Sequence, residues 1–127
     1  MKKLAFIILF FAFGLFYSQK SKTYNSGTVY WGAFDTNIND FASPLEKDSQ
    51  ILEFKIIDND YYLYTIKNGK KSRMKLSYIN GEYVDEFGIK YLVNEKDNSY
   101  YLFCLKELPN HKGKFLVLKV TDLGYIP

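Results

Sequence analysis

The chain has 127 residues, with 17 basic and 14 acidic side chains, one histidine and one cysteine. A single histidine excludes metal sites built on two histidine ligands, and a single cysteine excludes an internal disulfide. The formal net charge of only +3 gives no broad basic surface, so we predict no metal, no cofactor and no nucleic-acid partner.

The N-terminal segment is an apolar run behind two positive charges. Lys2 and Lys3 precede fourteen uncharged, mostly apolar residues, 4–17, and a transmembrane helix needs about 20. The positive start, the length of the run and the small Ser18 at its exit are typical of a secretory signal peptide. We predict that residues 1–18 are cleaved and that residues 19–127 form one exported domain. That domain is expected in the periplasm or outside the cell, with no stable membrane insertion after cleavage.

Alternating apolar and polar residues predict strands through the rest of the chain. In 51–57, Leu52, Phe54 and Ile56 share one face, and in 73–79 Leu76 and Tyr78 do the same. Turn residues separate such segments, and Asn-Gly pairs at 68–69 and 80–81 are strong hairpin signals. The predicted strands are 28–34, 51–57, 61–67, 73–79, 82–87, 89–93, 99–107 and 114–122.

This spacing predicts an all-β fold, an antiparallel meander of about eight short strands. A small barrel and a two-layer sandwich both hide the strand edges, and the sequence leaves that choice open. Four core side chains are predicted to be largely buried: Phe54, Leu76, Phe103 and Leu118.

Residues 37–49 interrupt the strand rhythm. Ser43, Pro44 and Glu46 match a capping box with proline at the first helical position, which predicts a short helical turn near 43–48. The spacing of Ile38, Phe41 and Leu45 suggests a lid lying on the sheet. A disordered loop is the alternative.

The last two strands are apolar on both faces. In 99–107, Tyr101 and Phe103 alternate with Tyr100 and Leu102, so both faces of this strand must be covered. The candidates for the outer cover are the 37–49 segment, the N-terminal segment, a second copy of the chain and another protein.

Catalytic groups are sparse. Cys104 lies between Phe103 and Leu105 in a predicted strand, where a free cysteine behaves as a small buried hydrophobe rather than a nucleophile. Acid pairs such as Glu53 with Asp58, or Glu82 with Asp85, fall in turns and on strand edges. We predict that the protein is not an enzyme.

Two functional hypotheses remain. The first is a binding domain for a small apolar or glycan ligand on aromatic side chains, which offer apolar area with a polar tip. Its predicted ligand-binding residues are Trp31, Tyr62, Tyr64, Tyr78 and Tyr101. The second is a structural or protein-interaction domain that uses the apolar 99–120 hairpin toward a second copy or another protein.

Overall fold

The computed structural model describes residues 21–125, so the predicted signal peptide lies outside the described residues. These residues form nine strands and no helix. The strands are β1 (Ser21–Asp35), β2 (Asp40–Phe41), β3 (Glu46–Ile57), β4 (Asp60–Lys67), β5 (Lys70–Ile79), β6 (Glu82–Val84), β7 (Lys90–Lys96), β8 (Ser99–Glu107) and β9 (Lys114–Tyr125).

The strands form a closed antiparallel barrel. Each strand from β3 to β9 pairs with its neighbour in chain order, β1 pairs with β3, and β1 also pairs with β9. The two-residue β2 is an addition beside the end of β1. The predicted all-β meander is confirmed, and the barrel is selected over the sandwich because β1 closes the sheet. We call the end where β1 begins the lower end and the end where it finishes the upper end.

Four hairpin turns of two residues each join the strands, and in each of them both residues have positive φ. Asn68 and Asn80 have φ of 51° and 52° and are followed by Gly69 and Gly81, as the Asn-Gly signals predicted. The pairs at 58–59 and 97–98 contain only Asp and Asn, which tolerate this region. Positive φ at both positions is the geometry that matches the twist of antiparallel strands.

Irregularities in β1 and β3 set which side chains face inward. The β1–β9 register shifts around Gly27, where an added Cβ would lie 2.8 Å from the Thr121 carbonyl oxygen. In β3 the register with β4 shifts between Ile51 and Glu53. Ile51 is therefore buried while Leu52 is 41% exposed, so the prediction that Leu52 shares the inward face of Phe54 was wrong.

The barrel interior is the main core. Phe54 and Leu76 are fully buried there, as predicted. Phe103 is also buried, but on the outside of the barrel. Leu118 faces inward and is only half-buried, because it lies toward the upper end of β9.

A second apolar cluster lies on the outer surface, and we call it the outer cluster. Its buried members are Phe34, Phe103 and Val117, with Phe41, Leu92, Tyr101, Leu105 and Phe115 packed around them. It explains why β8 and β9 are apolar on both faces: the inner residues fill the barrel and the outer ones pack here.

The 36–45 segment contributes to this outer cover. The Phe41 ring lies 5.5 Å from the Phe34 ring, and the Leu45 side chain contacts Gly32. Both residues behave as the predicted lid, whereas Ile38 is 61% exposed. The predicted helical turn near 43–48 was wrong, because β3 already begins at Glu46, which pairs with Trp31.

Candidate functional site

The structure separates the five predicted ligand-binding residues. Tyr62 and Tyr64 lie on the outer face of β4, whereas Tyr101 lies on the outer face of β8, four strands away around the barrel. Trp31 and Tyr78 are on inward positions, near the upper and lower ends respectively. Tyr78 therefore does not lie within reach of Tyr62 and Tyr64. These five residues do not form one site.

The lower half of the interior is filled by aromatic rings. The ring of Phe54 lies 5.2 Å from that of Tyr100, 5.8 Å from that of Tyr61 and 5.9 Å from that of Tyr24. The hydroxyl oxygens of Tyr24 and Tyr100 are 3.4 Å apart. This half is a packed core in which each ring touches several others.

Burial keeps the inner phenols neutral. Desolvation raises the pKa of Tyr61, Tyr83, Tyr91 and Tyr100, because an ionised phenolate loses its hydration inside the barrel. A phenol with a raised pKa is a weaker acid and stays protonated near neutral pH, so these groups are suited to hydrogen bonding rather than to acid–base chemistry.

The upper half of the interior is less completely filled. Trp31 pairs with Leu118, and Ala33 pairs with Leu116, across the β1–β9 seam. All four side chains face inward, yet Trp31 is 38% exposed and the other three are half-buried. We call these four residues the mouth patch. Leu102, which pairs with Leu118 across β8 and β9, is fully buried beside the patch.

The opposite side of the upper end is polar. An open cleft of about 380 Å³ is lined by Lys67, Asn68, Lys70 and Ser72 at the β4–β5 turn. Lys67 Nζ is 3.1 Å from Asp48 Oδ1, so one of the two lysines that line the cleft is already paired with an acid. The cleft does not by itself select a charged ligand.

The groups considered for catalysis have other partners. Cys104 is buried on the inner face opposite Tyr91, and His111 lies in the exposed β8–β9 loop. Glu53 lies 3.4 Å from Lys55, and Glu82 lies 3.0 Å from Lys90.

Asp85 is used in a turn. Its Oδ1 accepts hydrogen bonds from the backbone N–H groups of Phe87 and Ile89, and its Oδ2 accepts one from the Tyr91 hydroxyl. Within residues 21–125, no three His, Cys, Asp or Glu side chains are grouped to hold a metal ion. The same part of the chain has no helix that is long and apolar enough to span a membrane.

The sequence analysis named Trp31 as a candidate but none of the other three residues of the mouth patch. Alternation along β9 indicates that Leu116 and Leu118 share a face, but it does not reveal which end of that face is open. No protein-family model matches the chain, and the search of curated proteins found no match.

Proposed function

We propose that the chain is an exported, non-enzymatic β-barrel that binds a small apolar ligand at its upper end. The observation that carries this proposal is the solvent exposure of an inward-facing tryptophan, Trp31, beside the half-buried Leu116 and Leu118. Inward positions in the filled part of the barrel are buried, as Phe54 and Leu76 are. The inward Tyr78 at the lower end is also exposed, but its ring packs on Tyr83, 4.9 Å away between ring centroids.

The architecture suits this role. A barrel of eight strands has room either for side chains alone or for one small ligand, and barrel mouths are common ligand sites. In this chain the packed aromatic rings fill the lower half of the interior, so a ligand would enter only the upper half. A ligand resting on the mouth patch would bury the Trp31 ring and the two leucines, and water release from that apolar area would supply the binding free energy.

Tryptophan emission tests the proposal, because Trp31 is the only tryptophan. Titration with long-chain fatty acids and haem-like compounds should shift or quench its emission and raise the melting temperature. Leu116→Gln should weaken the response, whereas the matched control Leu52→Gln, on the outer face, should not. If none of these compounds changes the Trp31 emission or the melting temperature, the proposal is wrong for these ligand classes.

The proposed export has its own test. N-terminal sequencing of protein recovered from outside the cytoplasm should find a mature start between Leu15 and Ser21, where the apolar run ends. An intact Met1 in the membrane fraction would contradict the proposed signal cleavage.

The alternative of a homodimer or protein partner rested on the two-sided apolar hairpin 99–120. Packing within the described chain accounts for much of that pattern, since Phe103 contacts both Phe34 and Phe115 in the outer cluster. Light scattering, which measures the oligomeric state, distinguishes the ligand-binding proposal from the protein-interaction alternative. A stable monomer favours the ligand-binding proposal, and a dimer disrupted by Phe115→Asp favours the alternative.

A further inference from the structure

The outer faces of β4 and β5 form a paired column of rings and cations. Opposite residues are Tyr62 with Lys75, Tyr64 with Arg73 and Ile66 with Lys71. We call these six residues the cation–tyrosine face. The three β4 side chains are half-buried, while Lys71 and Arg73 on β5 are exposed.

Contacts within this face hold the rings and charges side by side. Lys75 Nζ lies 5.3 Å from the centroid of the Tyr62 ring, which is within the range of a cation–π interaction. Arg73 is 3.5 Å from Glu86, a salt bridge in which both side chains are well exposed. An exposed pair of this kind is weak, so Arg73 remains available to a stronger anionic partner.

The face concentrates positive charge on a neutral barrel. Without Lys2, Lys3 and Lys20, 14 of the 17 basic residues remain in the described chain, against all 14 acidic residues. The face has three cations, and Lys55 of β3 lies opposite Tyr62 on its other side. The adjoining acids are Glu53 and Glu86. The described chain has no net charge, so an anion would be attracted by the cations of this face and not by the protein as a whole.

The geometry favours an extended ligand. Alternate residues of a strand are about 6.7 Å apart, so the β5 column presents three cations over about 13 Å and the β4 column presents two tyrosines about 6.7 Å apart, followed by Ile66. The tyrosines offer a flat apolar surface with a hydroxyl at the tip, and the cations run parallel about 5 Å away. A chain molecule with flat apolar faces and regularly spaced anionic groups would match both columns.

We propose that the cation–tyrosine face binds an acidic oligosaccharide, with sugar faces on Tyr62 and Tyr64 and carboxylates on Lys71, Arg73 and Lys75. A lipid surface fits less well, because the Tyr62 and Tyr64 side chains are already half-buried and leave little apolar area to insert into a membrane. A nucleic acid fits less well, because the described chain is neutral overall and two acids border the face. This site is separate from the mouth patch and does not depend on the function proposed there.

Direct binding of an oligogalacturonate tests the proposal, with a neutral malto-oligosaccharide of equal length and oligo-deoxythymidine as comparison ligands. Neutralising two cations in Lys71→Gln/Lys75→Gln should weaken oligogalacturonate binding about 2- to 30-fold. Tyr64→Ala should weaken it about 2- to 10-fold. Both effects are expected without a change in the fatty-acid response of Trp31.

The opposite side of the barrel provides the matched control. Lys119 Nζ lies 5.6 Å from the Tyr101 ring, so Lys119→Gln removes a similar cation–π contact outside the face. It should leave oligogalacturonate binding unchanged.

Three results would overturn the proposal. They are the absence of oligogalacturonate binding, an equal loss of binding in Lys119→Gln, and tighter binding of the neutral sugar or of oligo-deoxythymidine. Far-ultraviolet circular dichroism of each variant identifies any loss of binding that comes from unfolding. If Tyr64→Ala unfolds, Tyr64→Phe is measured instead. Tyr64→Phe should retain most of the affinity, since the ring is kept.

Discussion

Replacing Phe54 with alanine should remove the centre of the aromatic core. Phe54 is fully buried, and its ring touches the rings of Tyr24, Tyr61 and Tyr100. These three tyrosines belong to β1, β4 and β8, so they are held by separate strands of a closed sheet. They have little freedom to collapse into the space left by the missing ring.

The expected loss follows from these contacts. Burying a phenylalanine side chain contributes about 1.5–3 kcal/mol. The cavity and the lost ring contacts bring the cost of Phe54→Ala to about 3–5 kcal/mol. Because a domain of this size has a total stability of about 5–15 kcal/mol, the variant should be marginal. Urea unfolding followed by Trp31 emission measures the change.

Leu52→Ala is the matched control, because simple alternation places Leu52 and Phe54 on one face while the β3 irregularity exposes Leu52. Its cost should stay below about 1 kcal/mol. Equal losses for Leu52→Ala and Phe54→Ala would refute the assigned register of β3 and the packing argument that rests on it.

Two further predictions concern the inner phenols and the lid. Burial raises the pKa of Tyr61 and Tyr100 above the unfolded value of about 10, so the unfolded chain releases these protons first. The free energy of unfolding should therefore fall as pH rises above about 10, by about 1.4 kcal/mol per pH unit for each group. Tyr61→Phe should make this fall less steep. Urea unfolding at a series of pH values between about 9 and 11.5 measures the trend, and a stability that does not change with pH would contradict it. Gly32→Ala should cost about 1–3 kcal/mol, because the added methyl group displaces the Leu45 side chain. Leu45→Ala in the same chain should restore part of that loss, and an absence of rescue in thermal unfolding would mean that Leu45 does not pack there.

Local sequence signals were sufficient for much of the fold. Asn68-Gly69 and Asn80-Gly81 specify their turns because both positions need positive φ. Alternation identified the burial of Phe54 and Leu76, since side chains on a strand point to opposite faces in turn. These signals depend only on residues near each other in the chain, so they are readable before any tertiary contact is known.

Local signals failed where distant contacts decided the outcome. The Ser43 to Glu46 motif matches a helix start, but pairing of Glu46 with Trp31 and packing of Leu45 on Gly32 make it the entry to β3. The exposure of Leu52 also depends on a register shift between two strands, which alternation within one strand does not encode.

The sequence by itself determined the all-β class, the turns and the inward or outward face of most strand residues, because these follow from backbone preferences and a period of two. Only the tertiary structure decided that the sheet closes through β1 and β9. Closure places Tyr62 and Tyr101 on opposite sides of the barrel and brings Trp31 beside Leu118. The position of a side chain around a barrel depends on every strand pairing between it and its neighbours, and so on contacts far apart in the chain.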